Sequence, residues 1–262
     1  MSSEDLILYE IKKKVAIITI NRPGKANAAN IEMLQTIHAK VLEADENENV
    51  NVILIKSVGE RFFSAGYDLK EVAGNPENVK KITDLGRKVN QTIMFLKKPV
   101  IVQVQGIAVG FGVLLIVAAD LTVFADRSIE KLYLQLPELF INAYPQTGAT
   151  LMPLMAFGIK YAKNLLFSNK KASLDELKNM NFPTKIFPLE ELDSGALAFA
   201  EELGKLQMEF LFTAKTMLRI MNKAYIKSCL DMEDECGAYA YGPKKPMKDL
   251  HNFLDDINKR YP

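Results

Sequence analysis

Between Val100 and Ala119 the chain carries no charged side chain, and these twenty positions must be buried somewhere. About 20 predominantly apolar residues can form a membrane-spanning helix, but this stretch divides into two unlike halves. KKPVIVQVQG, residues 97–106, is rich in β-branched residues and has Gln103 and Gln105 inside it. It reads as a buried strand. GIAVGFGVLLIVAAD, residues 106–120, places three glycines within seven positions ahead of an apolar run. That reads as a buried helix whose first turn is nearly bare of side chains. A strand running straight into a buried helix is the signature of an α/β core, and no membrane partner is expected.

The segments on either side continue the alternation. Leu6–Ile11 and Lys14–Ile20 are β-rich and separated by lysines, which predicts a hairpin ended by Asn21-Arg22-Pro23-Gly24. IEMLQTIHAKVLEADEN, residues 31–47, repeats apolar side chains with helical period behind Asn30, a candidate N-cap. NVILIKS (51–57) and LTVFAD (121–126) read as strands, and the stretch from Pro76 to Leu96 as a helix. The order ββ-α-β-α-β-α-β indicates parallel crossovers. Beyond Pro137 helical patterns dominate, with one strand-like piece, TKIFP, and from Leu197 onward the chain reads as helix up to YGPKKP and again after it. The chain is therefore expected to divide into a core, residues 1–197, and a helical region, residues 198–262. Methionines at helical spacing in that region, such as Met217 and Met221, are expected to pack in a core or an interface.

Basic and acidic residues number 33 and 32, so no broad basic surface is implied and nucleic acid is not an expected partner. The start, MSSEDLILYEIKKK, has acids where a secretory leader has bases. Cys229 and Cys236 fit neither a disulfide framework nor a zinc pattern. A cytoplasmic location is the simplest expectation. His38 and His251 lie far apart, with no HxxxH or CxxC, so no metal is expected. Ser64 has no evident histidine partner, which speaks against a Ser-His-Asp hydrolase.

Two stretches carry chemistry. In RFFSAGYDLKE (61–71) the small run Ser64-Ala65-Gly66 bends between a strand and a helical stretch, leaving backbone N–H groups bare. Gly110 and Gly112 flank Phe111 at the second, where a helix start offers unpaired N–H groups at the positive end of its dipole. One N–H from each stretch could hold a developing oxyanion. Tight turning in the first and close helix–strand packing in the second are the plainer readings of the same glycines.

The motifs NRPGKANAAN, RFFSAGYDLKE, VQGIAVGFGVLLIVAAD and LPELFINAYP, in this order and spacing, resemble the crotonase (enoyl-CoA hydratase/isomerase) superfamily. The ending FLDDINKRYP resembles that family's C-terminal signature, so the likeness covers essentially the whole chain. It implies a spiral of ββα units with a C-terminal helical region that builds homotrimers or dimers of trimers. It also implies an acyl-CoA thioester as substrate, with no cofactor beyond the coenzyme A that the substrate carries. The two enolate-stabilising N–H groups would be those of Tyr67 and Phe111. Binding positions carry over to Lys25, Ala26 and Ala28, and to the loop Ala65, Gly66, Asp68, Leu69 and Lys70, with Asp68 equally well read as a helix cap. Gly110 belongs to the same helix start.

Hydratases of the family use two glutamates, one in GGGxE and one in PE. Here the first position is Leu114 and the second is Glu138. Hydration needs both an oriented water and a proton donor, whereas one carboxylate suffices to take a proton from one carbon and return it to another. Single-glutamate isomerases of the family share this pattern, so isomerisation with Glu138 as shuttle is expected, hydration being the alternative. The segment between Ser128 and Pro137 is a few residues longer than the usual pattern, and INAYPQTGAT replaces a glycine-rich motif. Tyr144 lies near a tyrosine of decarboxylating relatives, which adds decarboxylation as a further reading; as the bland one, it is a wall of the acyl pocket. A hydrolase, or a catalytically impaired acyl-CoA-binding protein, completes the set.

Overall fold

The computed structural model describes residues 6–73, 75–220, 222–243 and 247–260. The first five residues of the acidic start, Met221, positions 244–246 of the YGPKKP break and the last two residues of the terminal signature lie outside them.

Strands β1 (Ile7–Lys12) and β2 (Val15–Ile20) form the expected antiparallel hairpin. Its turn residues Lys13 and Lys14 both have positive φ, 45° and 68°, the two-residue geometry that matches strand twist. Helix α1 (Ile31–Glu46) is capped by Asn30, whose side chain accepts from the Met33 N–H. Then come β3 (Val52–Ser57), β4 (Phe62–Ser64), the short α2 (Leu69–Val72) and the long α3 (Pro76–Phe95). The charge-free stretch supplies β5 (Val100–Val104), β6 (Ile107–Val109) and α4 (Phe111–Ala118). Strands β7 (Leu121–Ala125) and β8 (Tyr133–Gln135) lead to a 3-10 turn, Glu138–Ile141, and helix α5 (Leu151–Phe167), which breaks at Gly158. Strand β9 (Ala172–Ser173), α6 (Leu174–Asn179) and β10 (Lys185–Phe187) complete the sheets. Four helices follow: α7 (Leu192–Leu203), α8 (Met208–Ile220), α9 (Lys223–Ala240) and α10 (Met247–Arg260).

The strands form two sheets, ordered β1-β2-β3-β5-β7-β10 and β4-β6-β8-β9. Three successive turns of the chain, β3-β4, β5-β6 and β7-β8, each add a longer strand to the first sheet and a short one to the second before a helical segment closes them. From β2 to β10 the large sheet is parallel, and its central strands are buried on both faces, hence their predominantly apolar sequences. The second sheet was not expected from residue pattern. Its strands are two or three residues long and exist through pairing, as in Ala108↔Leu134. The segment after Ser128 forms a turn closed by Lys131 and Leu132 N–H bonds to the Ser128 carbonyl, upstream of β8.

The expected border at 197/198 falls inside α7, which lies across β2, β3, β5 and β7 and belongs to the core. The later helices are tied to that core by charge. Buried Lys215 and Arg219 of α8 reach Asp120 at 2.7 and 3.0 Å, and Arg87 of α3 pairs with Asp231 and Asp234 of α9. Outside those ties α8 turns apolar residues to solvent: Phe210 is 72% and Leu218 73% exposed, and Met217, expected in a core or an interface, is exposed beside them. No helix among the described residues is long and apolar enough to cross a membrane.

Candidate active site

Loop 22–30 and loop 64–68 are zipped together by backbone bonds: Ala65 N–H to Ala26 C=O, Ala29 N–H to Gly66 C=O, and Asp68 N–H to Ala29 C=O. Bonds from the residues flanking Tyr67 leave its own N–H turned the other way. Gly66 has φ +90°, and a Cβ there would meet the Val109 carbonyl at 3.0 Å and the Phe111 nitrogen at 3.5 Å. So the first loop touches the helix start directly, and only glycine permits the approach. At Gly110, φ is +51° and its N–H bonds the Gln135 carbonyl, which pins the start of α4 to β8. Neither the Tyr67 nor the Phe111 N–H has a protein acceptor among the described residues.

Both residues line a cavity of about 250 Å³. Ala65, Gly66, Leu69, Gly110, Leu114, Glu138 and Tyr144 line it too. Glu138 begins the 3-10 turn after β8, and its Oε1 would lie 3.2 Å from a Cβ on Gly110, so the carboxyl leans over the helix start. Its Oε2 is withdrawn from water and has no hydrogen-bond partner among the described residues. Burial pushes its pKa up to about 7, so the group exchanges its proton near neutrality. Leu114, one turn into α4, is buried and presents only methyl groups to the same space.

Tyr144 is in the wall, but burial and a bond to Cys236 of α9 hold its hydroxyl in the neutral form, while the Tyr241 hydroxyl takes its backbone N–H at 3.0 Å. Lys25, Ala26, Ala28, Asp68 and Lys70 do not line the cavity. Asp68 caps α2 by accepting from the Lys70 N–H and pairs with Arg22 at 2.7 Å. Burial pushes its pKa up, but these two partners prevail and hold it below the usual carboxylate range. The helix-cap reading of Asp68 thus describes its contacts. Val79, Ile82 and Thr83 of α3, Thr147, and Tyr241 at the end of α9 complete the wall without having been singled out by sequence. No motif marks them, because they arrive from three separate segments. Among the described residues there is no group of three acid, histidine or cysteine side chains that could hold a metal.

Two unpaired N–H groups beside a carboxyl with one unpartnered oxygen, in a mostly apolar cavity, can polarise a carbonyl and move a proton on the carbon next to it. The family described as enoyl-CoA hydratase/isomerase matches the chain over residues 10–242. The short-chain-enoyl-CoA hydratase of Clostridium acetobutylicum is 28% identical over 75% of this chain and 74% of its own. The trans-2-decenoyl-[acyl-carrier-protein] isomerase of Streptococcus mutans is 26% identical over 71% of each. Among solved structures, an enoyl-CoA hydratase from Bacillus anthracis superposes with a TM-score of 0.77 at 25% identity, covering 96% of each chain.

Proposed function

We propose, starting from the fact that this chain belongs to the enoyl-CoA hydratase/isomerase family, that it shifts the double bond of an enoyl thioester. The thioester oxygen accepts from the N–H groups of Tyr67 and Phe111. Glu138 takes a proton from the α-carbon, the electron pair delocalises into a dienolate, and Glu138 returns the proton to the γ-carbon. The reaction needs no cofactor beyond the coenzyme A of its substrate. One observation carries the reading: Glu138 is the one carboxyl lining the cavity among the described residues, and Leu114 lines the same space without an acid. Hydration is the second reading, supported by the relatives named as hydratases and by Gln146, a polar side chain in the same wall that could orient water.

A 3-enoyl-CoA should give the 2-enoyl product faster than crotonyl-CoA is hydrated, followed by absorbance and chromatography. Glu138→Gln should lower kcat by about 10²–10⁴-fold while acyl-CoA affinity measured by calorimetry changes little. Full activity of that variant on every thioester would end the assignment. The exposed apolar face of α8 supports assembly into trimers. Sedimentation at micromolar concentration should show a trimer or hexamer, and a clean monomer would refute it.

A further inference from the structure

We infer that the Thr147 hydroxyl is a positioning group: it holds the Tyr67 ring against the Phe111 ring and so fixes the spacing of the two N–H donors. The inference rests on the proposed role of those donors. Three observations lead to it. First, the donor residues carry aromatic side chains that stack with centroids 5.0 Å apart and planes at 17°. Each ring hangs on the Cα adjoining its donor nitrogen, so contact between the rings couples the two loops beyond their meeting at Gly66.

Second, the sole polar atom of the Tyr67 ring bonds the Thr147 Oγ1 at 2.8 Å. The Thr147 hydroxyl in turn donates to the Thr83 carbonyl at 3.4 Å, which leaves the phenol as the donor to Thr147. Gly86, on α3, makes the notch for this pair. A Cβ there would overlap the phenol oxygen and lie 3.1 Å from Thr147 Cγ2.

Third, Thr147 is a β-branched residue with φ +69°, a backbone region such side chains rarely enter. It is over-determined by its surroundings, as strained functional positions are. Asn90 Nδ2 donates to its carbonyl at 3.3 Å, and the next N–H, of Gly148, donates to Glu233 at 2.6 Å. Glycine or asparagine would relieve the strain but would give up the hydroxyl at that place.

The plain alternative is that the bond only satisfies a buried phenol. The test uses the full chain, crotonyl-CoA labelled at its carbonyl for infrared spectroscopy of the bound thioester, and a 3-enoyl-CoA for turnover. Thr147→Val should lower kcat about tenfold, keep KM within about twofold, and return the bound carbonyl stretch towards its value in water. Thr147→Ser should recover most of both. Tyr67→Phe, which deletes one atom and spares the fold, should give the same loss, and the double variant little more. Loss of thermal stability in Thr147→Val with kcat and carbonyl stretch unchanged would overturn the inference and leave the proposed function standing. No carbonyl shift and no turnover in the unsubstituted protein would overturn both.

Discussion

Glu138, on the turn after β8, and Glu233, in the middle of α9, are both largely withdrawn from water, and burial raises the pKa of both. Their surroundings differ in every other respect. Glu233 accepts from the N–H groups of Gly148, Thr150 and Leu151, at 2.6, 2.9 and 3.3 Å, and from the Thr150 hydroxyl. It sits at the positive end of α5 and closes N–H groups that a helix start leaves open. Glu138 has an oxygen with nothing to bond. The same side chain is therefore mortar in one region and an idle, costly group in the other. A buried carboxyl with one oxygen left unpaired is hard to explain by folding, and that difference points to the turn as the place where a substrate completes the hydrogen bonding.

Substitution at the two sites should separate them by sign. Glu233→Ala strands three buried N–H groups and should cost about 3–5 kcal/mol of unfolding free energy, read from denaturant titration. Glu138→Gln should do the reverse, stabilising by about 3 kcal/mol at pH 8. Its pH dependence follows from the shift. Below pH 4.5, the ordinary value, the carboxyl is protonated in both folded and unfolded chains and the gain vanishes. Between there and about 7 the unfolded chain ionises first, so the stability of the unsubstituted protein falls as pH rises and the advantage of glutamine grows. If Glu138→Gln is instead destabilising at pH 8, the contrast is broken.

A sharper form of the comparison is kinetic. As the base that starts the reaction, Glu138 must be ionised, so kcat/KM should rise with pH along a limb near 7. A limb near 4.5 would mean a hydrated carboxyl. The smallest effect is expected at Tyr144, whose hydroxyl is already bonded to Cys236. Tyr144→Phe should change kcat by less than about threefold. A large loss would transfer attention to that residue and favour decarboxylation.

Long strands and glycines were readable from residue pattern because each is a local demand. A strand buried on both faces must be largely apolar, as β5 is with Gln103 its one polar residue, and Gly66 and Gly110 answer for their own positive φ. The second sheet was not readable, since strands of two or three residues have no period to detect. Glu138 precedes Leu139, Phe140 and Ile141, all exposed, and the run gives no sign that the carboxyl itself turns inward. Its burial comes from the start of α4, brought alongside through the pairing of β6 with β8. Thr147 carries no local signal for the same reason: its partner Tyr67 is 80 positions away. The positions carried over for coenzyme A, Lys25, Ala26 and Ala28, form the loop that braces Tyr67 rather than the cavity wall.

The cap supplied by Glu233 also has a consequence in time. The loop carrying Thr147 and Gly148 is braced by a residue 85 positions later in the chain. At ribosomal rates of about 5–20 residues per second, the brace is made roughly 4–17 s after the loop. During that interval the apolar walls contributed by β6, α3 and α4 already exist, while Tyr241, which closes their far side, has not been synthesised. A nascent chain at this stage offers a half-built greasy hollow to whatever surrounds it. The interval before residue 233 is then the period when chaperones have most to protect, and a chain cut short there keeps the reactive glutamate but lacks the brace that steadies the loop opposite.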